Sequence, residues 1–374
     1  MTDDSRIGIG MRDGAVIRPK AVVVTGSLAY DFIMDFPGDF RDHIMLDKVH
    51  VLSISFLVEK MKKQRGGVAG NIAYSLALLQ QPCSILATAG ADDFDTYRAF
   101  LEQIGVDTTP VIGVPEEMTA SCFITADTKN NTVMGFYAGA MARSDLTSFH
   151  NLDAAAINIA LIGPTVPEAI ERFPKECRAL GIPFVYMPCW QTTVMDGPAL
   201  ADGLKGAAVF LGSDYEFASM SEKTGLSEDA MLNELAPDGA LVKTLGGEGS
   251  LIRTREATFQ IPIAPAREVV DPTGGGDAYC AGLLTGMVRG WDWDVTGRVA
   301  AQAATYAIEL YGPQAHTYTW DAFVARYKES FGKELRVPSY IGGDGSRRME
   351  RTRVPMQQRL RPRECPPSAG VRQV

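Results

Sequence analysis

The chemistry that this chain of 374 residues lacks narrows its function first. Its six cysteines, Cys83, Cys122, Cys177, Cys189, Cys280 and Cys365, include no C-x-x-C pair. The four histidines, His43, His50, His150 and His316, are equally dispersed. Reduced thiols in a cytoplasmic setting are therefore expected rather than a disulfide framework or a zinc site. No apolar run reaches the ~18 residues of a membrane span. The polar start Met1-Thr2-Asp3-Asp4 is unlike a signal peptide. Formal net charge is −9, so neither nucleic acid nor a membrane surface is expected as a partner. No G-x-x-x-x-G-K-[ST] occurs, and no glycine run has the G-x-G-x-x-G spacing, which removes the P-loop and the dinucleotide fingerprint.

What is present is glycine placed at helix starts. Asp271-Pro272-Thr273-Gly274-Gly275-Gly276-Asp277 follows a strand-like approach, Ala266 to Val270, and opens an apolar helical run that stops at Gly290. Consecutive glycines cost backbone entropy, and successive N–H groups at a helix N-terminus make an anion site. Asp277 has two readings at this level. It is a helix cap, or it is a base that takes a proton from a hydroxyl attacking a phosphate bound in the turn. Arg65-Gly66-Gly67-Val68-Ala69-Gly70-Asn71 also runs into a helical segment, Ile72 to Leu79, and by itself reads equally well as a structural turn.

The rest alternates. Ala21 to Ser27 is an apolar run suited to a buried strand, with Ser27 and Asp31 just past it, where open α/β sheets bind ligands. Val49 to Val58 shows broken strand-like alternation, and Ser84 to Ala89 is a strand. Thr119 to Ala126 and Thr132 to Tyr137 flank Lys129-Asn130-Asn131 as a hairpin. Beyond residue 150, strands at 158–163, 183–187, 207–211 and 239–245 with the helix Pro167 to Leu180 predict an α/β fold with a mostly parallel, covered sheet. Helices are expected over Val295 to Leu310 and Trp320 to Phe331.

The two glycine strings together resemble the signatures of the ribokinase-like (PfkB) carbohydrate and nucleoside kinases. Ser213-Asp214-Tyr215-Glu216 is similar to that family's N-x-x-E motif, with Ser213 in place of Asn. Thr244-Leu245-Gly246-Gly247-Glu248-Gly249 resembles its T-x-G-x-x-G nucleotide loop. The resemblance implies one kinase domain over residues 20–338, with a small β lid from about 32–63 and 108–140. It implies Asp277 as catalytic base, Gly274, Gly275 and Gly276 as anion hole, and Ser27, Asp31, Gly67 and Asn71 as the sugar grip. ATP would lie against Ser213, Thr244, Gly246 and Gly249. Mg2+ would be ordered through water by Glu216, and K+ would sit at Asp271 and Thr273, as in several members. Stretches such as Phe136-Tyr137-Ala138-Gly139-Ala140-Met141 bring the chain nearest to bacterial adenosine kinases. Phe136 would then face the base, Cys122 stands where a second ring is usual, and Trp190 is the candidate replacement. A kinase for another nucleoside or a free sugar, and a non-catalytic sugar- or nucleoside-binding regulator, are the alternatives. Pairing through the lid into a homodimer is expected. Residues 1–19 read as a loose leader. The stretch 341–374, with eight Arg, no Lys and the acids Asp344, Glu350 and Glu364, reads as disordered, preferentially the residue of an altered reading frame or of cloning.

Overall fold

The computed structural model describes residues 16–43, 57–129 and 131–335. The chain enters through β1 (Val22–Thr25) and β2 (Ala29–Asp35), then β3 (Lys60–Gly66) and α1 (Val68–Leu78). Next come β4 (Cys83–Leu86), β5 (Thr88–Gly90), α2 (Asp95–Gln103) and β6 (Ile112–Val114). A hairpin of β7 (Ala120–Ala126) and β8 (Thr132–Tyr137) precedes β9 (Ile159–Ile162), α3 (Pro167–Leu180) and β10 (Phe184–Tyr186). The regular alternation continues with α4 (Gly197–Leu204), β11 (Val209–Ser213), α5 (Asp214–Thr224), α6 (Glu228–Glu234) and β12 (Ala240–Thr244). Two antiparallel strands, β13 (Ser250–Arg253) and β14 (Thr258–Ile261), are followed by α7 (Gly275–Val288), α8 (Trp293–Ile308) and α9 (Trp320–Phe331).

Eight strands form the main sheet in the order β14-β13-β12-β11-β10-β9-β1-β4. From β4 to β12 neighbours run parallel, and β13 and β14 are antiparallel. Both faces are covered, which is why the strands are apolar throughout rather than alternating. Val22 and Val24 belong to one buried cluster with Leu76, Leu284 and Ala300, while Val23 belongs to another with Phe173, Tyr186 and Phe210. Small residues let α7 and α8 approach closely: a Cβ on Gly282 would lie 2.5 Å from the Ala300 Cα.

A separate four-stranded sheet, ordered β3-β2-β7-β8, is antiparallel except between β2 and β7. Its register places Gln64, Asp31, Cys122 and Phe136 side by side across all four strands, and therefore on one face. The neighbouring row, Lys63, Phe32, Phe123 and Gly135, lies on the opposite face. Phe32 and Phe123 stack there with ring centroids 5.0 Å apart. Asp31 thus stands inside a strand of this second sheet rather than in a loop after β1.

Other expectations shift as well. Ala266 to Val270 is not a strand: Val269 and Val270 are exposed, and the Val270 N–H donates to the Ile308 carbonyl rather than to a sheet edge. Pro262 and Pro265 have already ended pairing beyond β14, because proline cannot donate to a ladder. The run from Ser84 divides at Ala87, with β4 joining the main sheet and β5 pairing with β6 instead. Most of Val49 to Val58 lies outside the described residues. So do residues 1–15 of the expected leader and the whole 341–374 stretch. Among the described residues, no helix is long and apolar enough to cross a membrane. Five cysteines among the described residues are free, Cys83, Cys122, Cys177, Cys189 and Cys280.

Candidate active site

The glycine string opens α7 with Gly274 as N-cap at φ +81°, a left-handed conformation that a Cβ disfavours. A Cβ at Gly274 would also lie 2.6 Å from the Pro313 Cβ. The turn before it is tied down by Asp271, whose carboxylate accepts the N–H groups of Thr273 (2.9 Å) and Gly312 (3.0 Å). Of the three candidate anion-hole amides, that of Gly275 donates to the Pro272 carbonyl at 3.2 Å. It is spent on closing the turn. Among the described residues, the N–H groups of Gly274, Gly276 and Asp277 have no backbone acceptor.

Asp277 occupies the first turn of α7, partly exposed to the cleft. Burial of its surroundings pushes its carboxyl up to about 7, while a hydrogen bond from Asn71 pulls the other way. Asn71, buried on α1, donates from Nδ2 to the Asp277 Oδ2 at 2.8 Å. Asp277 is therefore not a helix cap in this fold: Gly274 caps α7 without a side-chain bond. The two glycine signatures, some two hundred residues apart, meet at this contact.

Asp31 faces the same region. Burial raises its carboxyl to about 6, and no donor in the described residues offsets that. Gly66 makes room for it, since a Cβ there would lie 2.5 Å from the Asp31 Oδ2. Gly67, at φ +85°, packs against the backbone of residues 27–29 and starts α1. Ser27 serves the fold here, because its Oγ accepts the Val68 N–H at 3.0 Å and so caps the start of α1.

Two aromatics remain open. Phe136 is 50% exposed, beside Cys122 on the row that includes Asp31. Trp190 is 49% exposed in the turn after β10 and is not buried packing. That turn lies near Asp277: the neighbouring Cys189 thiol is raised by burial, then by the charges of Glu216 and Asp277.

At the other end of α7's first turn, Ser213 and Thr244 are cross-strand partners, and Thr244 pairs in turn with Ser250. The Ser250 hydroxyl meets the Tyr279 hydroxyl at 2.7 Å, which ties this strand edge to α7. Ser213 and Glu216 form a capping box at α5, with the Ser213 N–H donating to the Glu216 Oε2 at 2.6 Å. One Glu216 oxygen is thus engaged in the cap. The loop of Gly246 and Gly249 borders a cavity of about 380 Å3 lined by Gly247, Glu248, Gln260, Ile261, Pro262 and Ile263. Gly249 needs its bare backbone, with φ +90° and the Ile261 carbonyl where a Cβ would be. Among the described residues no cluster of three His, Cys, Asp or Glu could hold a metal ion by itself.

Sequence reading missed three residues that the fold brings here: Gln64, Tyr97 and Gln314. Gln314 donates to the Asn71 Oδ1 at 2.9 Å and to the Tyr97 hydroxyl at 2.5 Å. Gln64 points its amide oxygen toward Gly312.

This architecture has known counterparts. A family model for the pfkB family carbohydrate kinases matches residues 20–320, and the chain belongs to that family. Its fold is the ribokinase-like α/β fold. A Burkholderia thailandensis nucleoside kinase solved in complex with inosine is 36% identical, with a TM-score of 0.73, covering 84% of this chain and 99% of that one. The Methanocaldococcus jannaschii nucleoside kinase structure is 25% identical with a TM-score of 0.73, covering 83% and 99%. A Methanothermobacter thermautotrophicus nucleoside kinase is 28% identical over 319 residues, which is 84% of this chain and 98% of that protein.

Proposed function

We propose that this kinase transfers the γ-phosphoryl group of ATP to the 5′-hydroxyl of a purine ribonucleoside, adenosine first. The observation that carries the reading is Asp277: a carboxylate raised toward neutrality, beside unbonded helix-start amides, and joined to the sugar-side glycine turn through Asn71. In this account Asp277 accepts the hydroxyl proton as the oxygen attacks phosphorus. The amides of Gly274, Gly276 and Asp277, in a turn closed by Gly275, stabilise charge on the transferred group. Asp31, Gly67 and Asn71 hold the ribose, a carboxylate suiting a pair of hydroxyls as a two-point acceptor.

ATP would lie along the paired strand ends of Ser213 and Thr244 and the loop of Gly246 and Gly249, whose Gly247 and Glu248 line the cavity. The donor set suits Mg2+, which takes one or two carboxylates and completes its shell with phosphates and water. Glu216 would supply that carboxylate, and the ion would neutralise phosphate charge. A K+ ion would be held at Asp271 and Thr273, reinforcing a turn that Asp271 already ties to Gly312. The small sheet would act as a lid that excludes water from the reacting groups.

The base would lie between Phe136 and Trp190, both of which are about half exposed. Base–aromatic stacking is worth ~1–3 kcal/mol. Trp190→Ala is therefore expected to raise KM for the nucleoside roughly five- to a hundredfold and to leave turnover of free ribose little changed. The test is ATP consumption against adenosine, inosine (the ligand of the Burkholderia relative), other nucleosides, ribose and fructose. Faster turnover of a free sugar than of every nucleoside would remove the base pocket from the account.

The outer face of the small sheet exposes Met61, Phe123 and Val133, apolar surface suited to a second copy. Sedimentation should give twice the 40.4 kDa chain mass, and Phe123→Asp should give the monomer. A wild-type monomer at micromolar concentration would contradict the pairing.

A further inference from the structure

Gln314 sits in an unpatterned segment after α8 and touches neither glycine signature in sequence, yet it closes a chain of hydrogen bonds ending at Asp277. The direction of that chain follows from its far end. The Gly66 carbonyl can only accept, so the Tyr97 hydroxyl, 3.0 Å away, donates to it. Tyr97 is fully buried, and burial raises its hydroxyl further, so it stays a neutral phenol. Its oxygen then accepts, and the group facing it at 2.5 Å must be the Gln314 NH2. The other hydrogen of that NH2 goes to Asn71, which must present Oδ1, at 2.9 Å. Asn71 is left with Nδ2 toward the Asp277 Oδ2, at 2.8 Å. The amide oxygen of Gln314 is itself buried without a partner, so its contribution lies in its two donors.

We infer that Gln314 is a positioning residue that locks the Asn71 amide with its NH2 group toward the catalytic carboxylate. The opposite orientation would set the Asn71 oxygen against Asp277, which then could keep that contact only by holding a proton. A base that holds its proton cannot take the hydroxyl's. The other ionisable groups near Asp277 are the thiols of Cys280 on α7 and Cys189 before α4, both raised by burial, with Glu216 acting on Cys189. Asp31 and Arg65 act on Tyr97.

The inference rests on Asp277 as the base, and a double-mutant cycle separates the two. Gln314→Met removes both donors without adding charge. Its kcat should fall roughly three- to tenfold, the net worth of one hydrogen bond, with the acid limb of the pH profile displaced to higher pH. In an Asn71→Ala background the same change should add nothing, because the amide it orients is gone. Tyr97→Phe, a near-isosteric change in the buried ring, should move the limb in the same direction and guards against a Gln314→Met protein that fails to fold. Losses that multiply in the double variant, or an unmoved limb in both single variants, would overturn the role of Gln314 and leave Asp277 in place. An Asp277→Asn control that keeps wild-type turnover would instead remove the base, and the positioning role with it.

Discussion

Replacing the proposed base, Asp277→Asn, is expected to lower kcat by ~10²–10⁴-fold while nucleoside affinity changes little. The substitution keeps size and can keep the Asn71 contact, because an amide oxygen still accepts from Nδ2 at the position now 2.8 Å away. What disappears is the capacity to take a proton. The pH dependence gives the same claim a second reading. Burial holds the wild-type carboxyl at about 7, so the free enzyme carries the inactive acid below that pH and the active carboxylate above it. The wild-type kcat/KM should rise with pH through about 7, and the residual activity of Asp277→Asn should lack this limb. A variant retaining a tenth of wild-type kcat would show that the proton goes elsewhere.

The second large effect is expected from one methyl group. Gly274→Ala puts a Cβ at φ +81°, which costs about 1–2 kcal/mol for an L-residue, and drives it against Pro313. Pro313 has little freedom to yield. Gly312 before it is held by Asp271, and Gln314 after it is held by Asn71 and Tyr97. The turn itself must therefore shift, and the amides of Gly276 and Asp277 shift with it. Loss of one well-placed oxyanion donor typically costs ~10²–10³ in kcat, and a fall in that range is expected at saturating ATP and nucleoside. Unchanged kcat with a folded protein would mean that the helix start does not hold the transferring group.

Much of this was legible in the chain itself, for a physical reason. Gly66, Gly67, Gly70 and Gly274 of the two glycine strings place bare backbone where a side chain would clash, and the alternation beyond residue 150 reflects strands buried on both faces. Helix α3 begins and ends where Pro167 and Gly181 say it should. The less legible parts are those whose pattern is set by the site rather than by a core. Strand β3, Lys-Met-Lys-Lys-Gln-Arg-Gly, offers no apolar alternation, because one face turns to the cleft and the other is open along its outer half. Ala266 to Val270 misleads in the opposite sense: it is apolar enough for a strand, but the sheet edge has already been closed by proline. Gly275 shows the limit of reading a motif by composition, since three glycines in a row do not reveal which amide the turn consumes. Gln314 leaves no periodic signal at all. Its importance comes from contacts with Asn71 and Tyr97, more than two hundred residues away in sequence.

The most direct test of the account is the proton-coupled 31P spectrum of the product formed from ATP and adenosine by the wild-type enzyme. Transfer to the 5′-hydroxyl attaches phosphorus to a CH2 oxygen, so the new monoester signal should be a triplet growing in step with ADP. A doublet would place the phosphate on a secondary hydroxyl, and inorganic phosphate alone would mean that ATP is split without reaching the nucleoside; either would contradict the central claim.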